Sequence, residues 1–280
     1  MIFLHTGLPH CTSWDTIFEK YLIDQHLDYK KINLNDALDE NAGKNDFLIG
    51  RINEFHNIDD NYYKKLSKKY GKIWPTYNSF WYYNNKKRQY DLFKKNKYPM
   101  PESFFAKDHN DLKDCSLCFP LVQKKIYGSS GKNVSLAKTK KEINYPCLLQ
   151  KFCPNNDSDL RIVNIGGKIF GLQRMVGKNC FKASGSKIFR EIKELPKKCI
   201  YWSIKICKEN DFDVMCFDFI KEDNEWTIVE MSYTFGIENS MDFVPFYFDT
   251  ILNKKVYTKI VPEKMVIQNI FKKNIEIKFL

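Results

Sequence analysis

The run RIVNIGGKIFGLQRMV, residues 161–176, constrains the fold more than any other stretch. Two apolar-rich segments meet at Gly166-Gly167, and glycine takes the positive φ of a tight two-residue turn without steric cost. The chain must build an antiparallel hairpin here. A second pair follows downstream, VMCFDFI and WTIVEMSY, joined by the polar turn KEDNE. Each of these runs carries one acid among apolar neighbours, Asp218 and Glu230. A buried carboxylate is expensive unless it is paired. Two on adjacent strands repel unless a cation lies between them. Mg²⁺, which binds through one or two carboxylates and substrate phosphates, meets that demand. Salt bridges to Arg161, Arg174 or Lys182 are the other answer. The two arginines sit on the two strands of the first hairpin, where they can clamp a carboxylate or phosphate bidentately or pair with Asp159.

Basic and small residues alternate further upstream. FPLVQKKIYGSSGKNVSLAK, Phe119 to Lys138, reads as two strands around a Gly-Ser-Ser-Gly loop. Gly128, Ser129, Ser130 and Gly131 offer a permissive backbone with free N–H groups that can approach phosphate closely. Lys124, between apolar residues, can place a point charge beneath that loop. NNKKRQYDLFKKN, residues 84–96, reads as a helix with Tyr90 and Phe93 inward. It carries Lys86, for which an ordinary solvated face is the plain alternative. The YPMPES segment is expected to end that helix, because a residue before proline leaves helical space.

The remaining pattern sets the layout. Met1–Leu4 and YKKIN read as strands around an amphipathic helix with a capping box at Thr12 and Asp15. This opening lacks GxGxxG, so it is not assigned as a dinucleotide site. Residues 60–70 read as a further helix, Pro75 as a break, PCLLQKF as a strand and CIYWSIKICKEN as a helix. The fold class is α/β, opening on a small open lobe over residues 1–75. The basic tail from Lys254 to Leu280 suits a terminal helix, a dimer surface or simple packing.

Composition narrows the class of function. Lys+Arg 45 against Asp+Glu 34 gives +11, but the charge is spread along the chain, which argues against nucleic acid as the partner. Nine cysteines, several in apolar runs, suit reduced thiols in a cytoplasmic protein. Cys115 and Cys118 form a CxxC, yet no second ligand pair stands at zinc spacing. The N-terminus lacks a signal-peptide pattern, and no run approaches the roughly 20 apolar residues of a membrane-spanning helix.

Taken in order, these features resemble the ATP-grasp superfamily. The order is lysine, Pro-x-Pro break, strand lysine, glycine-rich loop, hinge strand, D-x-R hairpin, arginine, then an acid on each of two final strands. The resemblance spans roughly residues 74–240. It is close to RimK-like carboxylate–amine ligases, and closer still to ATP-grasp proteins that accompany bacterial surface-polysaccharide genes and share PNNDSDLR, FKASGS and EMSY. It implies an ATP-grasp fold (α/β, with α+β lobes) whose two α+β lobes sandwich the nucleotide: a lid subdomain over 76–150 and a C-terminal catalytic subdomain over 151–280, after the N-terminal lobe of residues 1–75. Lys86 and Lys124 are then the nucleotide lysines, Gly128–Gly131 the lid loop, and Gln150, Lys151 and Phe152 the adenine hinge. RimK-like enzymes have glutamate at the position of Lys151. Asp159 is placed to touch ribose or to hold a lysine. Arg161 is placed for the acceptor substrate, and Arg174 to stabilise phosphoryl transfer. Lys182 and Ser184 lie where such enzymes touch substrate. Asp218 and Glu230 are the metal carboxylates. Ser232 stands where the third metal ligand, normally asparagine, is expected. The implied cofactors are ATP and one or two Mg²⁺, with Mn²⁺ as a substitute. The implied substrates are a small carboxylate and an amine, such as a sugar acid and an amino acid, joined through an acyl phosphate. A homodimer is compatible with this reading. A kinase on the same scaffold and a silent nucleotide-binding protein are the alternatives.

Overall fold

The computed structural model describes residues 1–6, 12–52, 59–83, 85–128, 133–235 and 241–276. Strands β1 (Ile2–His5), β2 (Tyr29–Ile32), β3 (Phe47–Ile49) and β4 (Lys72–Trp74) form a parallel sheet in the order β2-β1-β3-β4. Helices α1 (Thr12–Asp24) and α2 (Asp60–Lys69) belong to the same lobe. Asp59 starts α2 by accepting a hydrogen bond from the Tyr62 N–H at 2.6 Å.

Helices α3 (Tyr77–Tyr83) and α4 (Lys86–Asn96) follow. The Asn85 side chain accepts from the N–H groups of Lys87 and Arg88, so Lys86 becomes the first helical residue. Tyr90 and Phe93 are buried, as expected. The end of α4 differs from expectation. Lys97 takes a left-handed conformation, with φ 55°, and Tyr98 N–H turns back to Phe93 C=O. A local C-cap, and not the later prolines, stops the helix.

Strands β5 (Ser103–Ala106), β6 (Leu121–Lys125), β7 (Val134–Ala137) and β8 (Cys147–Lys151) form an antiparallel sheet in the order β5-β8-β6-β7. This sheet has its own small core, which includes Ala106, Leu121, Cys147 and Leu149. The preceding helices pack elsewhere: Phe80, Leu92 and Phe93 join the main core. Within residues 76–150 the separate core therefore begins at β5.

The largest sheet holds β9 (Ser158–Ile165), β10 (Lys168–Met175), β11 (Phe189–Arg190), β12 (Val214–Glu222), β13 (Glu225–Ser232), β14 (Phe246–Asp249) and β15 (Lys254–Tyr257). Its order is β13-β12-β9-β10-β14-β15, with β11 beside β10. Both predicted hairpins form. Gly166 and Gly167 have φ 55° and 86°, and a Cβ on Gly166 would sit 1.8 Å from Asn269 Oδ1. The KEDNE turn closes through Asp223 and Asn224, both at positive φ.

Alternation along the strands gives this sheet two buried faces. Leu160, Ile162, Phe217 and Phe219 share a core with Cys199 and Ile206 of α5 (Lys197–Glu209). Val163, Ile165, Val214 and Cys216 share another with Trp14 and Phe18 of α1 and with Val266 and Ile267 of α6 (Pro262–Glu276). Trp14 ties the first lobe to the last. It stacks on Trp74 at 6.0 Å and meets the edge of Phe235 at 5.8 Å. The described part of the basic tail thus forms β15 and a helix packed on the core. Among the described residues no helix is long and apolar enough to cross a membrane.

Candidate active site

The face of the large sheet that carries Val163 and Cys216 becomes polar toward one end. Asp159 and Arg161 lie two residues apart on β9, so they share that face. Register places Arg174 of β10 opposite Asp159, Asp218 of β12 opposite Arg161, and Glu230 of β13 opposite Asp218. A row of charged side chains therefore crosses four neighbouring strands, with two acids side by side at its β13 end.

The contacts follow the row. Arg161 grips Asp218 through two hydrogen bonds of 2.8 and 2.9 Å. Arg174 bonds Asp218 at 2.8 Å and also pairs bidentately with Asp159. Burial alone would raise the Asp218 pKa, but the two guanidiniums hold it well below the usual carboxylate range. Glu230 pairs with none of the cations expected for it. Its partner is Lys86, with Nζ to Oε1 at 2.8 Å.

A β-bulge shapes the outer strand. Asp218 is opposite Glu230, but the next residue, Phe219, is opposite Ile228, which leaves Val229 as the extra residue. Val229 and Glu230 consequently face the same space, although they are consecutive. The Val229 C=O accepts from Lys124 Nζ at 2.8 Å.

Lys124 reaches across from β6. Its Nζ also donates to Gln150 Oε1 at 2.8 Å, and Gln150 in turn donates to Ser103 Oγ. Burial pushes the Lys124 ammonium down to about 8; Glu230 partly offsets this and Lys86 adds to it. The two sheets thus meet through a lysine held by an amide and a carbonyl.

Between them lies a cavity of about 300 Å³. Lys124, Arg174, Asp218 and Glu230 stand at its charged side. Val122, Ile220 and Val229 give it apolar walls. Size and mixture suit a nucleotide-sized ligand. Lys86, Lys124, Arg161 and Arg174 are four cations against the three anions Asp159, Asp218 and Glu230. Lys86 and Arg161 stand behind the lining, so this net positive cluster borders the cavity, and it favours a polyanion.

The other expected residues fall as follows. Gln150, Lys151 and Phe152 line the cavity at the end of β8. The Lys151 ammonium turns outward to Glu222 at 2.8 Å and Asp223 at 3.6 Å. Asp159 lines the cavity and holds an arginine, not a lysine. Lys182 and Ser184 also line it, and Lys182 Nζ donates to Val134 C=O of β7 at 3.1 Å. Gly128 is described, and its C=O accepts from Lys86 Nζ at 2.8 Å. Ser129, Ser130 and Gly131 lie outside the described residues. Arg161 and Ser232 are not among the lining residues. The Arg161 guanidinium is spent on Asp218, and Ser232 Oγ donates to the Thr234 C=O.

Two lining residues had no individual role assigned from the sequence, although both fall inside quoted motifs, Phe181 in FKASGS and Asn156 in PNNDSDLR. Phe181 closes the cavity beside Phe152, with ring centroids 6.0 Å apart. Asn156 fastens the loop after β8 to β12: its Nδ2 donates to Lys221 C=O and its Oδ1 accepts from Lys221 N–H, both at 2.8 Å.

The donor chemistry also suits a hard divalent cation. Asp218 and Glu230 offer carboxylate oxygens at one end of the cavity. Among the described residues no set of three or more His, Cys, Asp and Glu is arranged to hold a metal by itself. A cation here would share its coordination with phosphate, which is how Mg²⁺ is usually bound.

The class that this fold and site define is matched by comparison with known proteins. Residues 83–245 match the model of the RimK-like ATP-grasp domain, and the chain belongs to that family. Solved structures share the fold at low identity. A RimK domain ATP-grasp protein from Sphaerobacter thermophilus has a TM-score of 0.65 at 9% identity, covering 96% of this chain and 98% of that one. D-alanine–D-alanine ligase from Bacillus anthracis gives 0.64 at 12% identity, with 99% and 97% covered. The ATP-grasp ligase PsnB with its minimal precursor gives 0.66 at 8% identity, with 98% of each chain covered. No curated protein matches the chain by sequence.

Proposed function

We propose that this chain is an ATP-dependent carboxylate–amine ligase. The observation that carries the reading is the convergence of Lys124, Arg174, Asp218 and Glu230 on one cavity of a RimK-like ATP-grasp domain. In this reading the base lies against Val122, Ile220 and Val229, and the backbone of Gln150–Phe152 reads its edge. Lys86 and Lys124 take the phosphates, with the Gly128–Gly131 loop above them. Asp218 and Glu230 hold Mg²⁺, which neutralises charge on the phosphates when bound. Asp159 and Arg161 keep Arg174 and Asp218 in place. Arg174 faces the charge that develops as the γ-phosphoryl group passes to a substrate carboxylate. An amine then displaces phosphate from the acyl phosphate, giving an amide. No protein nucleophile is required, and positioning supplies much of the rate. Lys182 and Ser184 meet the acceptor. A sugar acid or cell-envelope precursor joined to an amino acid is the substrate pair we favour, by likeness to proteins of surface-polysaccharide gene clusters.

The test is ADP release from Mg-ATP with pooled amino acids and pooled sugar acids, each present or omitted. The ligase reading expects release that needs both pools and an amide product by mass spectrometry. Release with one pool and no amide would replace it by a kinase, the second reading, which the serine at position 232 in place of the expected asparagine keeps open.

A further inference from the structure

Resting on that reading, we infer that Lys86 is an internal counter-ion of Glu230, so that the carboxylate becomes available to a divalent cation only when a polyanion draws the ammonium away. The geometry is specific. Lys86 is the first residue of α4, fixed there by the Asn85 cap and by its own N–H, which donates to Ile126 C=O at 2.9 Å. Its side chain is 7% exposed and spans the gap between α4 and β13. Nζ meets Glu230 Oε1 and Gly128 C=O, both at 2.8 Å. A lysine buried this way is committed to its acceptors, because leaving a charge there unpaired costs far more than a surface pair returns.

The two carboxylates of the cavity are neutralised differently. Asp218 is held by two guanidiniums in a packed row. Arg161 does not line the cavity, and Arg174 is also committed to Asp159. Glu230 has one flexible ammonium, and its side chain is 30% exposed toward the cavity. Only the Lys86–Glu230 pair can separate without breaking the row. An incoming phosphate group gives Lys86 a substitute anion. Glu230 is then left needing a substitute cation. Nucleotide and divalent cation therefore bind with strong mutual preference, and the cation alone binds poorly. The coupling is reciprocal, as linkage requires.

The test uses Mn²⁺ as the probe. Its binding to the full-length protein is followed by electron paramagnetic resonance without nucleotide, and then with a non-hydrolysable ATP analogue. Nucleotide binding is measured separately by calorimetry. The wild type should bind Mn²⁺ weakly alone and roughly tenfold or more tighter with the analogue. Lys86→Met should tighten binding of Mn²⁺ alone by roughly tenfold, because the neighbouring positive charge is gone. It should also shrink the gain produced by the analogue. Lys86→Gln, which keeps hydrogen bonding without charge, should behave the same way, and the melting temperature of each variant reports whether it is folded. If the analogue binds but folded Lys86 variants take up Mn²⁺ no more tightly than the wild type, the counter-ion role is overturned and the nucleotide site stands. If the wild type binds neither analogue nor Mn²⁺, the site assignment fails and takes the inference with it.

Discussion

Asp218 and Glu230 face each other as direct register partners on β12 and β13, yet their counter-charges come from opposite sides of the site. Asp218 takes its charge balance from Arg161 and Arg174 within the sheet. Glu230 takes it from Lys86 on a helix outside the sheet. Two carboxylates that would otherwise repel are each matched by their own cations.

Glu230→Gln should lower ADP release by roughly a hundredfold or more if the carboxylate holds the cation. The change is isosteric, but it leaves the buried Lys86 ammonium without its counter-charge, so the melting temperature should fall while the fold is retained. Steady-state turnover measured with circular dichroism melting checks both halves. Near-normal turnover would remove Glu230 from the cation site.

Nucleotide affinity should depend on Lys124 and on pH. Burial lowers its pKa from 10.5 to about 8, so the ammonium loses its proton as pH rises through about 8. A bound polyanion favours the charged form, and affinity should therefore fall between about pH 7 and pH 9. Stability has the opposite sign: the folded state binds fewer protons than the unfolded one between about 8 and 10.5, so this group's contribution to stability grows as pH rises through that window and is lost as pH falls through about 8. Calorimetric titration of Lys124→Met should show weaker binding and a flat profile over the same range. A wild-type profile that is already flat would refute the assignment.

Arg161→Met should cost about 3–5 kcal/mol of stability, because it removes one of the two guanidiniums that balance the buried Asp218 and leaves only Arg174, which Asp159 shares. Adding Asp218→Asn to Arg161→Met should recover part of that loss, since the under-compensated carboxylate is then gone. A denaturant double-mutant cycle measures the coupling. Strict additivity would show that the two hydrogen bonds contribute little.

Trp14→Ala should destabilise the chain by about 3–5 kcal/mol. Trp14 is 1% exposed and packs against Trp74 and Phe235, so its removal opens a void between the first lobe and the last. Chemical denaturation followed by the remaining tryptophans reads the loss.

Much of the frame is legible in the chain itself. Gly166-Gly167 dictates its hairpin through backbone freedom alone, and both glycines do adopt positive φ. Tyr90 and Phe93 face inward because helical spacing puts them on one side. Acids inside apolar runs point to a site, because burial makes them too costly to be incidental. Those are local rules, and local rules act between neighbours in sequence.

Pairing is another matter. That Glu230 takes Lys86, 144 positions away, while Arg161 turns to Asp218, depends on which strands lie side by side. The bulge at Val229 decides that Glu230 and Val229 both face the cavity, and no residue there announces it. Lys151 lies within the expected hinge run, but Glu222 and Asp223 at the β12–β13 turn draw its ammonium away. The amino-acid sequence by itself determined the elements and the residue types of the site. Only the tertiary structure decided the partners, because charge pairing depends on distances in space that sequence separation does not encode.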